Sequence, residues 1–291
     1  MLDIFLSLFT FFRTKNYKNF SFDIDLLFVS HLVNAKDQKE SPDFYFGNLP
    51  VYLQAHGFKI AIALLNHTKG FTGWTDRQNN TGMPEKFLIP KRLDFLKELN
   101  LMGRSLRTCF FFLREFFIEK DKWKKSFLFE LAVNVFSADT LRAFRIYEAI
   151  KFLVQKSTPK VIALTWEGHS WERLVCYAAK NIGKKTATIG YQHTILFPSS
   201  HAPKRPIAAA YNRNVILTVG SVTEEIMKFA VNDCEVTVIA YGSPRLENKY
   251  VYSGSDQVSN GCLVAPEGLI SECIILFAFG IEAAKLMPGT N

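Results

Sequence analysis

The sequence predicts an α/β protein on a largely parallel sheet spanning residues 24–245, with helices on both faces and a helical insertion at 91–155. Three observations predict it. β-like runs alternate with helical stretches along most of the chain. The connections within the first β-α-β unit, residues 24–68, are short, which implies parallel pairing. Residues suited to ligand chemistry follow the strands rather than precede them, as at the carboxyl edge of such sheets.

Residues 1–20 read as a short amphipathic helix or strand ending in basic residues. IDLLFVSHLV (24–33) is a strand. FYFGNLPVYLQAHG (44–57) reads as a helix with Leu49 and Leu53 on one side, Pro50 in its first turns and Gly57 as its stop. KIAIALLNHT (59–68) is a buried strand, and 69–90, rich in Gly, Asn, Thr and Pro, is a loop. Residues 91–155 are helical. Phe110, Phe111, Phe112, Phe116 and Phe117 make an apolar patch that either fills the core or faces a membrane or acceptor. VIALTW (161–166) is a strand, Gly168–His169–Ser170 a turn with Ser170 as N-cap, and 171–181 a helix closed by Gly183. Further strands are expected at 186–193, 215–220 and 235–242, with a loop at 197–206 and a helix at 222–230. A polar linker at 246–260 divides a first domain, 1–245, from 261–291, where a strand-turn (262–268) precedes a helix (269–286).

Composition narrows the function. Of 291 residues, 48% are apolar and 21% charged, a globular balance rather than a disordered one. There is no run of 18 uncharged apolar residues to span a bilayer, and the apolar start lacks the basic flank and cleavage site of a signal peptide. The five cysteines are scattered without a CxxC, which reads as free thiols in a cytoplasmic protein. The formal charge of +8 is spread in loose clusters without the dense stripe of a nucleic-acid binder. It suits solvated faces or attraction to an anionic membrane surface, nucleotide sugar or glycan. No GxxxxGK[ST], GxGxxG, HExxH or Asp-rich metal motif is present, so no cofactor or metal is expected.

Four strand ends carry the candidate site. Trp166 to Arg173 follow one strand, Tyr191–Gln192–His193–Thr194 the next, Gly242 to Arg245 a third, and Pro266–Glu267–Gly268 with Ser271 a fourth. Glu167 and His193 end successive strands, within reach of each other if those strands are neighbours. A carboxylate beside an imidazole orients it as a general base. Glu172 complements a helix N-terminus, Arg173 is positioned to pair with Glu167, and Trp171 is a structural or stacking residue. Gly168–His169–Ser170 has the outline of an esterase elbow, but Trp171 and Glu172 stand where small residues are needed, so Ser170 fits a cap better than a nucleophile. Glu267 and Gly268 open a helix in the manner of an anion site.

The series DLLFVSHLVN, FYFGNLPVYL, WEGHSWER, GYQHT, YGSPR and LVAPEG resembles, over about residues 24–286, a bacterial surface-carbohydrate (capsule or O-antigen type) biosynthesis family similar to transferases of the GT-B fold, in which two Rossmann-like domains face across a cleft. The resemblance implies transfer of a sugar from a nucleotide-sugar donor to a glycan or lipid-linked acceptor. His193 and Glu167 would be catalytic; His169, Trp171, Glu172, Arg173, Tyr191, Gln192 and Arg245 would bind substrate; Glu267, Gly268 and Ser271 would hold the donor phosphates. The alternative is a non-catalytic scaffold protein of the same pathway. A GT-B donor domain needs several β-α units and 261–291 supplies one, so the second domain is expected to be incomplete and donor binding weak.

Overall fold

The computed structural model describes residues 23–33, 42–68, 83–183, 186–197, 199–232, 234–244 and 270–286. The chain divides into two units, Met1–Leu246 and Glu247–Asn291. In the second, the described residues form one helix, Ile270–Leu286; the expected linker and the strand-turn at 262–268 lie outside the described residues, as does the expected element at 1–20.

The first unit is a seven-stranded, all-parallel sheet. Its strands are β1 (Leu26–Leu32), β2 (Ile60–Asn66), β3 (Glu85–Leu88), β4 (Val161–Thr165), β5 (Ala187–Gln192), β6 (Val215–Thr218) and β7 (Thr237–Ala240), in the order β3-β2-β1-β4-β5-β6-β7. The chain winds outward from β1 to β3, crosses back, and winds the other way from β4 to β7. This is a Rossmann-like, doubly wound α/β fold, with its switch point between β1 and β4. β3 lies inside the segment expected to be a loop. It is four residues long, with Pro84 just before it and Pro90 two residues after, and it sits at the sheet edge, where proline is tolerated.

Eight helices are described: α1 (Leu49–Ala55), α2 (Phe95–Ile118), α3 (Lys122–Asn134), α4 (Ala138–Ser157), α5 (Ser170–Asn181), α6 (His201–Lys204), α7 (Ser221–Ala230) and α8 (Ile270–Leu286). Local chemistry starts the helices of the long crossover. Asp94 accepts from the Lys97 amide, Asp121 from those of Trp123 and Lys124, and Ser137 from that of Thr140. α4 ends where Thr158 turns left-handed ahead of Pro159.

Side chains alternate across the strands and feed two cores. On one face Leu27, Val29 and Leu164 meet Ile150, Leu153 and Val154 of α4 and Val175 and Ala178 of α5. On the other, Phe28, Ile62 and Ala163 meet Phe46, with Leu49 and Leu53 of α1 half-buried against them. Farther along, Ile216 and Val238 pack on Met227 of α7 and on Val231, which caps it. Each fully buried aliphatic side chain contributes roughly 1.5–3 kcal/mol. Within the expected helical insertion, α4 therefore covers the sheet, whereas α2 and α3 pack chiefly on each other. Phe110, Phe111 and Phe117 are exposed, so they do not fill the core. Among the described residues no helix is long and apolar enough to cross a membrane.

Candidate functional site at the switch point

The residues singled out after β4 and β5 come together at one edge. β4 and β5 are neighbours, and Glu167 and His193 at their carboxyl ends meet with Oε1 3.3 Å from Nε2. The other carboxylate oxygen takes His169 Nε2 at 2.9 Å. The His169 hydrogen bond, reinforced by His193, holds the Glu167 carboxyl well below the usual carboxylate range, and the same bond raises His169. An ionised Glu167 only accepts, so both imidazoles point N–H groups at it. The Nδ1 of a neutral His193 is then a bare lone pair. It is buried and has no hydrogen-bond partner among the described residues, and the Tyr45 ring stands edge-on to the imidazole with centroids 4.5 Å apart.

Glu172 holds the Glu167 loop in place. Its carboxylate accepts the amides of Glu167, Gly168 and His169 at 2.7–3.1 Å and is fully buried. α5 accordingly begins at Ser170 with His169 in the cap position, one residue earlier than expected; Ser170 is its first helical residue rather than its cap. Burial pushes the Glu172 carboxyl up to about 7. Gly168 permits the turn. Its φ is +83°, and a Cβ there would lie 2.2 Å from the Ala202 carbonyl.

Arg173 does not pair with Glu167. Its position on α5 aims it at the 202–212 segment, where it donates to Asn212 Oδ1 and the carbonyls of Ala202 and Arg205. Its guanidinium carbon and that of Arg213 lie 5.1 and 4.2 Å from the centroid of the buried Trp166 ring. Tyr191 is buried, its hydroxyl donating to the Gly242 carbonyl. Gln192 is also buried. Its Nε2 donates to Thr194 Oγ1, while Oε1 has no partner among the described residues. Trp171 is half-buried against the α4–α5 core. Arg245, Glu267 and Gly268 lie outside the described residues, and Ser271 is an exposed residue of α8 in the second unit.

Sequence reasoning missed a second imidazole pair. His31 is the penultimate residue of β1, and His67 follows β2. His31 Nδ1 lies 2.8 Å from His67 Nε2, and His31 Nε2 lies 3.0 Å from Thr165 Oγ1. Thr165 Oγ1 is 3.5 Å from Glu172 Oε1. A carboxylate there accepts, so Thr165 donates to it and receives the His31 Nε2–H. His31 Nδ1 then receives the His67 Nε2–H, and His67 Nδ1 is left as an acceptor. Burial, then the neighbouring His67, pushes His31 down to about 3; burial, then Arg142 and Lys91, lowers His67. Both are neutral near pH 7. Trp171 meets His31 edge-on, with centroids 5.5 Å apart. The signal that finds Glu167 and His193, a polar residue where a strand ends, applies equally to His31 and His67.

Among the described residues no group of three or more His, Cys, Asp or Glu is arranged to hold a metal. A cleft between α6 and α7, lined by His201, Lys204, Arg205, Glu225 and Phe229, contains none of the residues singled out from the sequence. The arrangement over β1, β4 and β5 can therefore orient imidazoles, accept a proton and hydrogen-bond hydroxyls. Compared with known proteins, no family model matches this chain, and no curated protein does.

Proposed function

We propose that the protein is a sugar transferase of bacterial surface-polysaccharide assembly, and that the first unit binds the acceptor hydroxyl at the switch point. The observation that carries the reading is His193: one ring nitrogen is held by the Glu167 carboxylate and the other is buried with no hydrogen-bond partner among the described residues. An unsatisfied imidazole nitrogen on a ring oriented by a carboxylate suits a general base once a substrate hydroxyl reaches it.

In the proposed reaction the acceptor O–H gives its proton to His193 Nδ1 as its oxygen bonds to the anomeric carbon of the donor. The bond from that carbon to the nucleoside diphosphate breaks, and the diphosphate leaves with the electron pair. Glu167 compensates the imidazolium. Glu172 positions Glu167, and His67 offers a second acceptor to a neighbouring sugar hydroxyl. The +8 formal charge favours anionic donors and lipid-diphosphate acceptors. Arg245 is assigned to substrate binding, Glu267, Gly268 and Ser271 to the donor phosphates, and the site of action to the cytoplasmic face of the membrane.

The test is transfer from a panel of labelled nucleotide sugars to glycan and lipid-linked acceptors, with His193→Ala and Glu167→Gln alongside the unaltered chain. Loss of about 10²–10⁴-fold in turnover for His193→Ala is expected. Unchanged turnover removes His193 from the reaction. If the unaltered chain shows neither transfer nor saturable binding of any glycan or nucleotide sugar, the reading fails.

A further inference from the structure

The outer part of the α2–α3 hairpin is apolar and uncovered. In α2 the buried residues are Glu98, Leu101 and Ser105, all in its first half, and in α3 only Ala132 is buried. From residue 106 to residue 131 no side chain is buried. Phe110, Phe117 and Phe127 stand 67%, 74% and 63% exposed, and Trp123, in the first turn of α3, 86%. So much exposed aromatic surface in one place marks a contact with something else.

The charge at the tip identifies the partner. Lys120, Lys122, Lys124 and Lys125 surround Trp123. Two acids stand among them, Glu119 accepting the amides of Lys120 and Asp121, and Asp121 those of Trp123 and Lys124, so four lysines against two carboxylates leave the tip net positive. A second copy meeting this tip end to end would set lysine against lysine. A partner helix covers one stripe, but the exposed residues lie on more than one side. Trp123 and Phe127 are one turn apart, and Phe129 is two residues on, roughly 200° round the axis. Only a phase that surrounds the tip covers them all. Lysine stems reach along apolar surface while their ammonium groups stay at the polar boundary, and tryptophan prefers that boundary.

We propose that the tip of the α2–α3 hairpin is a docking surface for a membrane leaflet rich in anionic lipid, entered by Trp123, Phe117 and Phe127 and held by the lysines of residues 120–125. This goes beyond the transferase reading and does not depend on it.

Flotation of the full chain with phosphatidylcholine vesicles, with and without phosphatidylserine, tests the surface. Co-flotation with the phosphatidylserine vesicles at low salt is expected, falling as salt rises, with little on phosphatidylcholine alone. Each of Lys122→Glu, Lys124→Glu and Lys125→Glu should weaken partitioning at least about fivefold. Trp123→Ser combined with Phe127→Ser should abolish it while circular dichroism is unchanged. Phe229→Ser, at another exposed aromatic, should leave it intact. Absence of flotation at low salt overturns the proposal. So does flotation that survives the hairpin variants, which places the membrane contact elsewhere, or a dimer in sedimentation that those variants dissolve without any vesicle binding.

Discussion

Over β1, β4 and β5 a single carboxylate, Glu172, holds three backbone amides at full burial, and the polar groups around it are linked from Glu167 round to His67. In the outer α2–α3 hairpin the balance is reversed: aromatic side chains face outward, and the helices are started by capping residues on the surface. The contrast separates two ways of holding structure. At the sheet edge, geometry is over-determined by buried hydrogen bonds, and an unmet one is costly. In the hairpin, helix propensity and caps hold the backbone, so side chains are free to serve a partner.

Substitutions can break this comparison at its strong end first. Gly168→Ala imposes a side chain on a left-handed residue and drives it into the Ala202 carbonyl. A loss of about 3 kcal/mol is expected, read as a lowered urea midpoint. A midpoint within error of the unaltered chain would show the loop to be loose.

Glu172→Gln replaces one acceptor oxygen with an NH₂ that confronts backbone N–H groups, at a cost of about 1–3 kcal/mol. It also changes the pH profile. The folded Glu172 carboxyl is raised, so the folded state binds its proton more tightly and the associated stability is lost as pH rises from about 4.5 to about 7. Across that window the urea midpoint of the unaltered chain should fall relative to that of Glu172→Gln as pH rises, whatever the other groups add to both.

His31 works in the opposite sense. Its folded value is pushed down to about 3, so the folded state binds fewer protons, and stability falls as pH drops from about 6.5 toward 3. The slope contributed is at most about 1.4 kcal/mol per pH unit. His31→Gln should flatten this acid limb; an unchanged limb would place its cause in other groups.

The smallest effect belongs to the hairpin. Phe110→Ser and Phe127→Ser should shift stability by no more than about 0.5 kcal/mol in either direction, because neither residue is covered in the monomer. A large loss would mean that these rings are buried in solution and would remove the contrast.

Much of the first unit was legible because its signals are local. Ile60–Asn66 is apolar through nearly its whole length, and a strand buried on both faces has that character. The Glu167–His193 meeting was legible from two strand ends. β3 was not legible, since EKFL is short and its pairing with β2 is not a local property. The direction of Arg173 was not legible either, because its carbonyl partners at 202 and 205 carry no sequence signature. His31 carries the same strand-end signal as Glu167, but its link to Thr165 appears only when β4 is placed beside β1.

That placement has a kinetic consequence. β1 pairs with β2 across a modest sequence separation, and β4 to β7 pair in succession, but the β1–β4 seam joins Leu26 to Val161. Closing so long an excursion is entropically the hardest pairing in the sheet. The two half-sheets should therefore acquire hydrogen-exchange protection first in refolding, and the amides of β1 and β4 that face each other last. The His31–Thr165 contact, spanning 134 positions of sequence across that seam, marks the moment when the halves become one sheet.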